Sequence, residues 1–286
     1  MKTEKIMKPK QLILSGNTIF VGDALMTLQR LPDNSVQCAV TSPPYWGLRD
    51  YDNPDQIGLE ETLPQFINKL TTIFSELRRV LKDDGLFWLN LGDGYTSGNR
   101  RWRAPDRKNP ARAMSVRPET PEGLKPKDLL GIPWRVAFAL QDDGWFLRSD
   151  IVWHKPNCMP ESVKDRPTRS HEYLFMFSKS PKYSYQRERI LEENGRNCRS
   201  VWNVNTQGFS GAHFATFPSK LIEPCILSSS EPGDFILDPF FGSGTVGLVA
   251  SDNDRKFVGV ELNPDYVQIA FDRLSDANST VSKVAA

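Results

Sequence analysis

Apolar residues in this chain gather in short runs separated by amphipathic stretches. Runs at 18–22, 36–41, 86–91, 151–153, 173–177, 235–237 and 257–261 predict buried strands. Phe66, Leu70, Ile73, Phe74, Leu77 and Leu81 recur at steps of three and four, which predicts a helix over 63–81. Asp83-Asp84-Gly85 reads as the stop that ends this helix before the next strand. Further helices are expected at 132–141, 218–228, 244–251 and 264–274. Strands alternating with helices are the mark of an α/β layer fold. No internal repeat or long low-complexity tract interrupts the alternation.

Two stretches break the pattern. Residues 94–128 hold Arg100, Arg101, Arg103, Arg107, Lys108, Arg112 and Arg117, many prolines, and few apolar residues beyond Trp102. Such a segment cannot bury itself, so it reads as a loop or insertion that orders against a charged partner. A second irregular basic stretch runs over 156–211, broken by the strand at 173–177.

At 286 residues, with 39% hydrophobic and 25% charged, the chain suits one large domain or a core with an appended lobe. Its apolar runs fall far short of the roughly 18 residues that span a bilayer, and residues 1–12 lack the apolar segment of a secretory signal. Cys38, Cys158, Cys198 and Cys225 lie far apart, which excludes a zinc ribbon and leads us to expect no metal site. Their spacing fits a reduced, cytoplasmic protein. Lys+Arg 36 against Asp+Glu 35 gives a net charge of +1, but the charge is unevenly spread. Residues 94–220 carry 22 Lys+Arg and 13 Asp+Glu, net +9, and the remainder carries 14 and 22, net −8. A basic middle between acidic ends reads either as ordinary solvated surface or as a footprint for a polyanion, most often nucleic acid.

The C-terminal part carries a cofactor signal. Asp238-Pro239-Phe240-Phe241-Gly242-Ser243-Gly244-Thr245 follows an apolar run and opens a helix, and Glu261 ends the next run nineteen residues after Gly242. G-S-G-T-V-G matches a dinucleotide fingerprint with an acid that can hold a ribose. Asp238, however, stands where a pyrophosphate would lie at the helix N-terminus, and like charges repel. A cofactor with an ammonium group and a ribose suits Asp238 and Glu261 better, and S-adenosylmethionine has both.

Near the N-terminus, Thr41-Ser42-Pro43-Pro44-Tyr45-Trp46 leaves the run 36–41. Consecutive prolines fix φ and stiffen the exit from the strand. A hydroxyl, rigid carbonyls and an aromatic face are thereby presented at the carboxyl edge of a sheet, where open α/β folds bind ligands.

Together, TSPPYW and DPFFGSGT resemble the amino-directed DNA methyltransferases of bacterial and phage modification systems. The order, catalytic motif before cofactor motif with a variable region between, resembles the beta class, and the likeness covers nearly the whole chain. The resemblance implies a Rossmann-like methyltransferase sheet with helices on both faces and permuted motifs, plus a basic irregular target-recognition region. It implies a catalytic half at 12–93, a DNA-contacting loop at 94–128 and core strands with a DNA-facing loop at 129–182. A target-recognition segment is then expected at 183–212, and a cofactor-binding half at 213–286. Ser42, Pro43, Pro44 and Tyr45 match the catalytic tetrapeptide. Asp238, Pro239, Phe240, Gly242, Gly244, Thr245 and Glu261 match the cofactor turn and its acid, with Thr41 beside them. Asp23, in Gly22-Asp23-Ala24, resembles a motif upstream of the catalytic strand. Phe217 and Lys220, in the segment 213–221, resemble residues that close over the methionine end of the cofactor.

The reaction implied is methyl transfer from S-adenosylmethionine to an exocyclic amine of a base flipped from duplex DNA. Ser42, rather than Asp or Asn, resembles the cytosine-N4 branch; adenine-N6 is the alternative. Tyr45 would stack on the base, with Trp46 as a second wall. Arg100, Arg101, Arg103 and Arg107 would follow the DNA backbone, and Arg166, Arg169, Arg187, Arg189 and Arg199 are candidates for phosphate or guanine contacts. A cognate restriction endonuclease is a possible partner, and the chain would act as a monomer or homodimer. Four other readings compete. A cysteine nucleophile at Pro224-Cys225 sits on an apolar-periodic stretch. A Ser-His-Asp hydrolase has no G-x-S-x-G to stand on. A nicotinamide-dependent oxidoreductase, or a non-catalytic DNA-binding protein, leaves one or both motifs unexplained.

Overall fold

The computed structural model describes residues 16–51, 53–96, 118–207, 217–277 and 281–285. In chain order the elements are β1 (Thr18–Val21), α1 (Ala24–Leu28), β2 (Val36–Thr41), α2 (Leu63–Val80) and β3 (Leu81–Leu91). There follow α3 (Ile132–Asp142), β4 (Phe146–His154), β5 (His171–Ser178), a 3-10 turn (Arg187–Ile190) and β6 (Val201–Asn203). The last are α4 (Ser219–Ser229), β7 (Phe235–Asp238), α5 (Thr245–Asp252), β8 (Lys256–Glu261), α6 (Pro264–Asp276) and β9 (Ser282–Ala285).

All nine described strands join one sheet in the order β6-β4-β5-β3-β2-β7-β8-β1-β9. Of these, β5 alone runs antiparallel to its neighbours, β3 and β4. Because side chains alternate across a strand, each central strand feeds two cores. Phe20, Ala39 and Phe87 face α1, α2 and α3, while Ile19, Cys38, Val40 and Trp88 face α4, α5 and α6. The architecture is therefore the expected α/β sheet with helices on both faces.

The sheet's centre decides where a ligand goes. β2 and β7 are hydrogen-bonded neighbours, with Cys38 opposite Ile236 and Ala39 opposite Leu237. The helices that follow them, α2 and α5, pack on opposite faces. The chain thus diverges at this point and leaves a crevice at the carboxyl ends of the two strands. Both sequence motifs begin there.

Local sequence explains the framing helices. Thr62 caps α2 reciprocally with Gln65, and a proline occupies the first turn. Near its other end Arg79 reaches back to the carbonyls of Leu28 and Leu31 at 2.7 and 3.0 Å and pairs with Asp33. Asp83-Asp84-Gly85 is no separate stop. The helix ends at Val80 and β3 begins at once, with 82–85 bulging between the pairs Val36–Leu81 and Cys38–Leu86. A Cβ on Gly85 would lie 2.6 Å from Leu81 Cγ and 2.8 Å from the Gln37 carbonyl, so the bulge closes only on glycine. β4 starts at Phe146, five residues before the expected strand, because its first half is not buried. Among the described residues no helix is long and apolar enough to cross a membrane.

The cofactor turn rests on a ring seated between two glycines. Phe241 stacks on Phe257 with centroids 5.4 Å apart. A Cβ on Gly259 of β8 would come within 2.4 Å of that ring, and one on Gly247 of α5 within 2.7 Å. Gly259→Ala must displace the ring, and overpacking of this kind costs about 1–3 kcal/mol. Urea unfolding should show a lowered midpoint with an unchanged slope. Gly16→Ala, which meets nothing within 4 Å, should leave the midpoint in place.

Candidate active site

The carboxyl edge of the parallel strands borders a cavity of about 560 Å³, within the roughly 300–1,000 Å³ range of small-molecule sites. Ser42, Pro43, Pro44 and Tyr45 line it from the end of β2, and Asp238 through Ser243, with Thr245, line it from the end of β7. The two motifs, far apart in sequence, share one chamber.

Their junction is a single side-chain contact. The buried Thr41 hydroxyl donates to Asp238 Oδ1 at 2.5 Å, and the Phe240 N–H donates to the same oxygen at 3.0 Å. Asp238 is 2% exposed, and burial pushes its carboxyl pKa up to about 7 against the opposing pull of these two donors. Glu261 is also raised by burial, again opposed by backbone donors: Gly242 N–H at 2.8 Å and Asn263 N–H at 2.9 Å. Gly242 and Gly244 take φ of 50° and 79°, a left-handed backbone that suits glycine in so tight a turn.

These contacts decide between ligand classes. A pyrophosphate at a glycine turn needs free backbone N–H groups. Here the N–H of Phe240 goes to Asp238 and that of Gly242 to Glu261, while those of Phe241 and Gly244 go to the carbonyls of Val260 and Phe241. Carboxylates occupy the ground an anion would need. A cationic ligand suits this turn.

On the other wall, the half-buried Tyr45 donates its hydroxyl to Glu172 Oε2 at 2.9 Å. Burial and the Glu172 carboxyl push the phenol pKa well up, with the Ser42 hydroxyl pulling the other way. Tyr45 lies so close to Gly92 that a Cβ there would meet its ring at 2.6 Å. Glu172 also accepts from Asn90 Nδ2 at 3.2 Å and pairs with Lys155, whose ammonium lies 4.1 Å over the Trp153 ring. Asn90, Trp153, Lys155 and Glu172 all line the cavity, although sequence reasoning did not single them out. The available signal was positional: β5 runs backwards, so its first residues, not its last, reach the carboxyl edge.

Other expected site residues fall variously. Phe217 lines the cavity. Asp23 borders it while its carboxyl caps α1 through the Met26 N–H at 2.9 Å. Lys220 is exposed on α4 and is not among the lining residues. Trp46 is no second wall of the chamber. It is 7% exposed, donates to the Glu60 carbonyl at 2.8 Å, and lines a separate cavity of about 140 Å³ with Asp93 and Leu130. Arg166 stacks over Tyr95 at 3.7 Å and pairs with Glu161 at 2.6 Å; Arg169 lies 3.9 Å from Asp93. Arg187 and Arg189 sit away from the chamber, with Arg189 bound to the Ser230 carbonyl at 2.7 Å and to Glu231, before β7. Arg187 pairs with Glu188, and Arg199 with Glu192. Arg100, Arg101, Arg103 and Arg107 lie outside the described residues. Cys225 is buried in α4 with its thiol pKa pushed well up, which is wrong for a nucleophile.

A family model described as "DNA methylase" matches residues 36–272. The chain belongs to the N6/N4 DNA methylase family. It is 68% identical to the type II methyltransferase M.XycI of Xanthomonas campestris pv. cyanopsidis, over 99% of this chain and 96% of that protein. It is 66% identical to the type II methyltransferase M.Cfr9I of Citrobacter freundii, over 100% and 97%. Among solved structures it resembles TTHA0409 of Thermus thermophilus in complex with S-adenosyl-L-methionine, with a TM-score of 0.67, 26% identity, and 94% and 99% of the two chains covered. It shares its fold with the PvuII cytosine-N4-specific DNA methyltransferase at a TM-score of 0.70 and 22% identity, over 94% and 95%. This methylase is thus a type II DNA methyltransferase that uses S-adenosylmethionine. The turn fits that cofactor: the buried Asp238 carboxyl and the half-buried Glu261 carboxyl offer acceptors to an ammonium and to ribose hydroxyls, and the N–H groups of Phe240, Phe241, Gly242 and Gly244 are already used.

The Asp238 carboxyl gives the ligand-free methylase a pH signature. Folding raises its pKa from 3.8 to about 7, so the native state holds a proton that the unfolded chain releases earlier. Stability is then highest below the unfolded value and falls as pH rises toward 7. Asp238→Asn should remove this part of the slope in urea unfolding at pH 5 and pH 8, so the variant gains on the wild type as pH rises.

Proposed function

We propose that this methylase transfers a methyl group to the N4 amine of cytosine in duplex DNA, at a base flipped into the chamber. Ser42 carries the reading: the side chain that meets the amine at the end of β2 is a hydroxyl, in the same chamber as the cationic-ligand turn. A ring-conjugated amine is a poor nucleophile, because its lone pair is delocalised. The Ser42 hydroxyl oxygen and the Pro43 carbonyl accept its two hydrogens and localise that pair. Pro43 and Pro44 stiffen the segment that holds these acceptors in place. The Tyr45 ring covers the base. Such fixed acceptors act by orientation, which is worth roughly 7–11 kcal/mol at best. Bound S-adenosylmethionine supplies the electrophilic methyl. Asp238 holds its ammonium end, Glu261 its ribose, and Phe217 covers the methionine side. No group need deprotonate the amine before attack, so a serine suffices where acid–base chemistry would call for a carboxylate or a histidine.

The DNA grip falls to the arginines at 100–107 and to the loop after β4. Arg166 and Arg169 stand there, already oriented by Glu161, Tyr95 and Asp93. Arg187, Arg189 and Arg199 pair locally with Glu188, Glu231 and Glu192. As a type II enzyme the methylase would protect the sites of a cognate endonuclease.

Methyl transfer to duplex DNA followed by nucleoside mass spectrometry tests the base. N4-methylcytosine is expected; N6-methyladenine as sole product would overturn the assignment and leave the fold and cofactor standing. Ser42→Ala should slow single-turnover transfer by roughly 10²–10³-fold, the scale of losing one preorganised hydrogen-bonding group, with cofactor affinity unchanged. Replacing Arg100, Arg101 and Arg103 with Gln should weaken DNA binding and flatten its salt dependence, by about 0.9 in slope for each phosphate that is no longer neutralised. Cofactor affinity should not move.

A further inference from the structure

Among the described residues, Met159 is the most exposed large apolar side chain, at 77%. It also lines the chamber, together with Trp153, Lys155, Thr206 and Gln207. A side chain that does both stands at the rim. Single exposed apolar residues are common on protein surfaces; what sets Met159 apart is where it stands and how firmly it is held. The connection 155–170 leaves β4 and returns to β5, and its ends are tied where the Lys155 N–H donates to the Ser170 carbonyl at 2.7 Å. A turn follows at once, with the Cys158 N–H donating to the Lys155 carbonyl at 3.0 Å. Asn157 in that turn binds Thr206 in both directions, donating Nδ2 to its carbonyl at 3.0 Å and accepting its N–H at 2.8 Å. Pro160 then biases Met159 toward extended backbone. The stem is braced and the side chain at its tip is bare. The same connection carries Arg166 and Arg169, held by Glu161, Tyr95 and Asp93. A firmly mounted apolar side chain thus shares its loop with cationic groups and its rim with the chamber.

We propose that Met159 is the wedge that enters the duplex when the target base leaves it, filling the vacated place in the stack. Extruding a base costs its stacking and pairing, and an apolar side chain inserted between base steps offsets part of that loss. A thioether side chain is unbranched and polarizable, so it can lie against base faces of any flanking sequence. Its backbone is already held before DNA arrives, so little ordering is left to be done on insertion. Met159 is on this assignment a positioning residue: it holds the flipped state open and takes no part in the bonds that form and break. The role rests on the flipped base of the proposed function, whichever base that is.

Single-turnover transfer by the wild type, Met159→Ala and Met159→Leu tests the wedge on two substrates: a duplex carrying the target, and the same duplex mismatched at the target pair. Met159→Ala should be slowed about 10–100-fold on the paired duplex and less than about threefold on the mismatched one, where extrusion costs least. Met159→Leu, of similar volume, should stay within about threefold of the wild type on both. Cofactor affinity should not move in either variant. A second readout needs no variant. Duplex DNA bound together with a non-transferring cofactor analogue should slow oxidation of Met159 by hydrogen peroxide, read by mass spectrometry, while Met26, exposed on α1, reacts as fast as in the free protein. A wild-type rate for Met159→Ala on the paired duplex, equal slowing on both duplexes, a Leu variant as slow as the Ala variant, or Met159 oxidation that DNA does not slow would overturn the wedge and leave the proposed function standing. A wild-type chain that transfers no methyl to either duplex would overturn the proposed function, and the wedge with it.

Discussion

The contact between the Thr41 hydroxyl and the Asp238 carboxyl is the point on which the site depends. It joins residues 197 positions apart, at 2.5 Å, inside the protein. Thr41 ends β2 and Asp238 ends β7, and only the adjacency of these strands at the centre of the sheet allows the contact. The hydrogen bond also carries orientation. Thr41 sits one residue before Ser42, so anchoring its side chain to Asp238 fixes the tetrapeptide that follows relative to the glycine turn. A site whose work is mostly orientation gains most from such a link.

Burial makes the link demanding. A buried carboxyl with a pKa near 7 is costly to ionise, and the Thr41 hydroxyl and Phe240 N–H offset only part of that cost. A cationic ligand supplies the missing charge. The same carboxyls exclude a pyrophosphate by occupying the donors it would use. The glycine turn therefore shares its sequence pattern with dinucleotide sites and selects the opposite charge.

Much of this was legible before any coordinates. The central strands are buried on both faces, so their apolar runs stand out, and α2 has a clear apolar stripe with its capping residues in place. Both motifs sit where strand ends were expected. The first half of β4 and the edge strands β6 and β9 were not visible, because half-exposed strands of mixed composition have no apolar run to mark them. Trp46 was misread for a physical reason: an aromatic beside a catalytic tetrapeptide looks like a ligand wall, yet its N–H is claimed by Glu60 and its ring by the core. Glu172 was missed because the reversed direction of β5 brings its start, not its end, to the site. Local sequence does not encode that reversal. The charge split reads differently too. Several arginines of the basic middle, among them Arg187, Arg189 and Arg199, are engaged in local ion pairs.

The most direct test is a crystal structure of the methylase with a non-transferring cofactor analogue and duplex DNA containing its target. The account predicts an extruded cytosine with its N4 atom about 3–3.5 Å from the position of the transferable methyl, between the Ser42 hydroxyl and the Pro43 carbonyl. The analogue's ammonium should meet Asp238. A base seated outside the chamber, or an analogue bound away from Asp238 and Glu261, would contradict it.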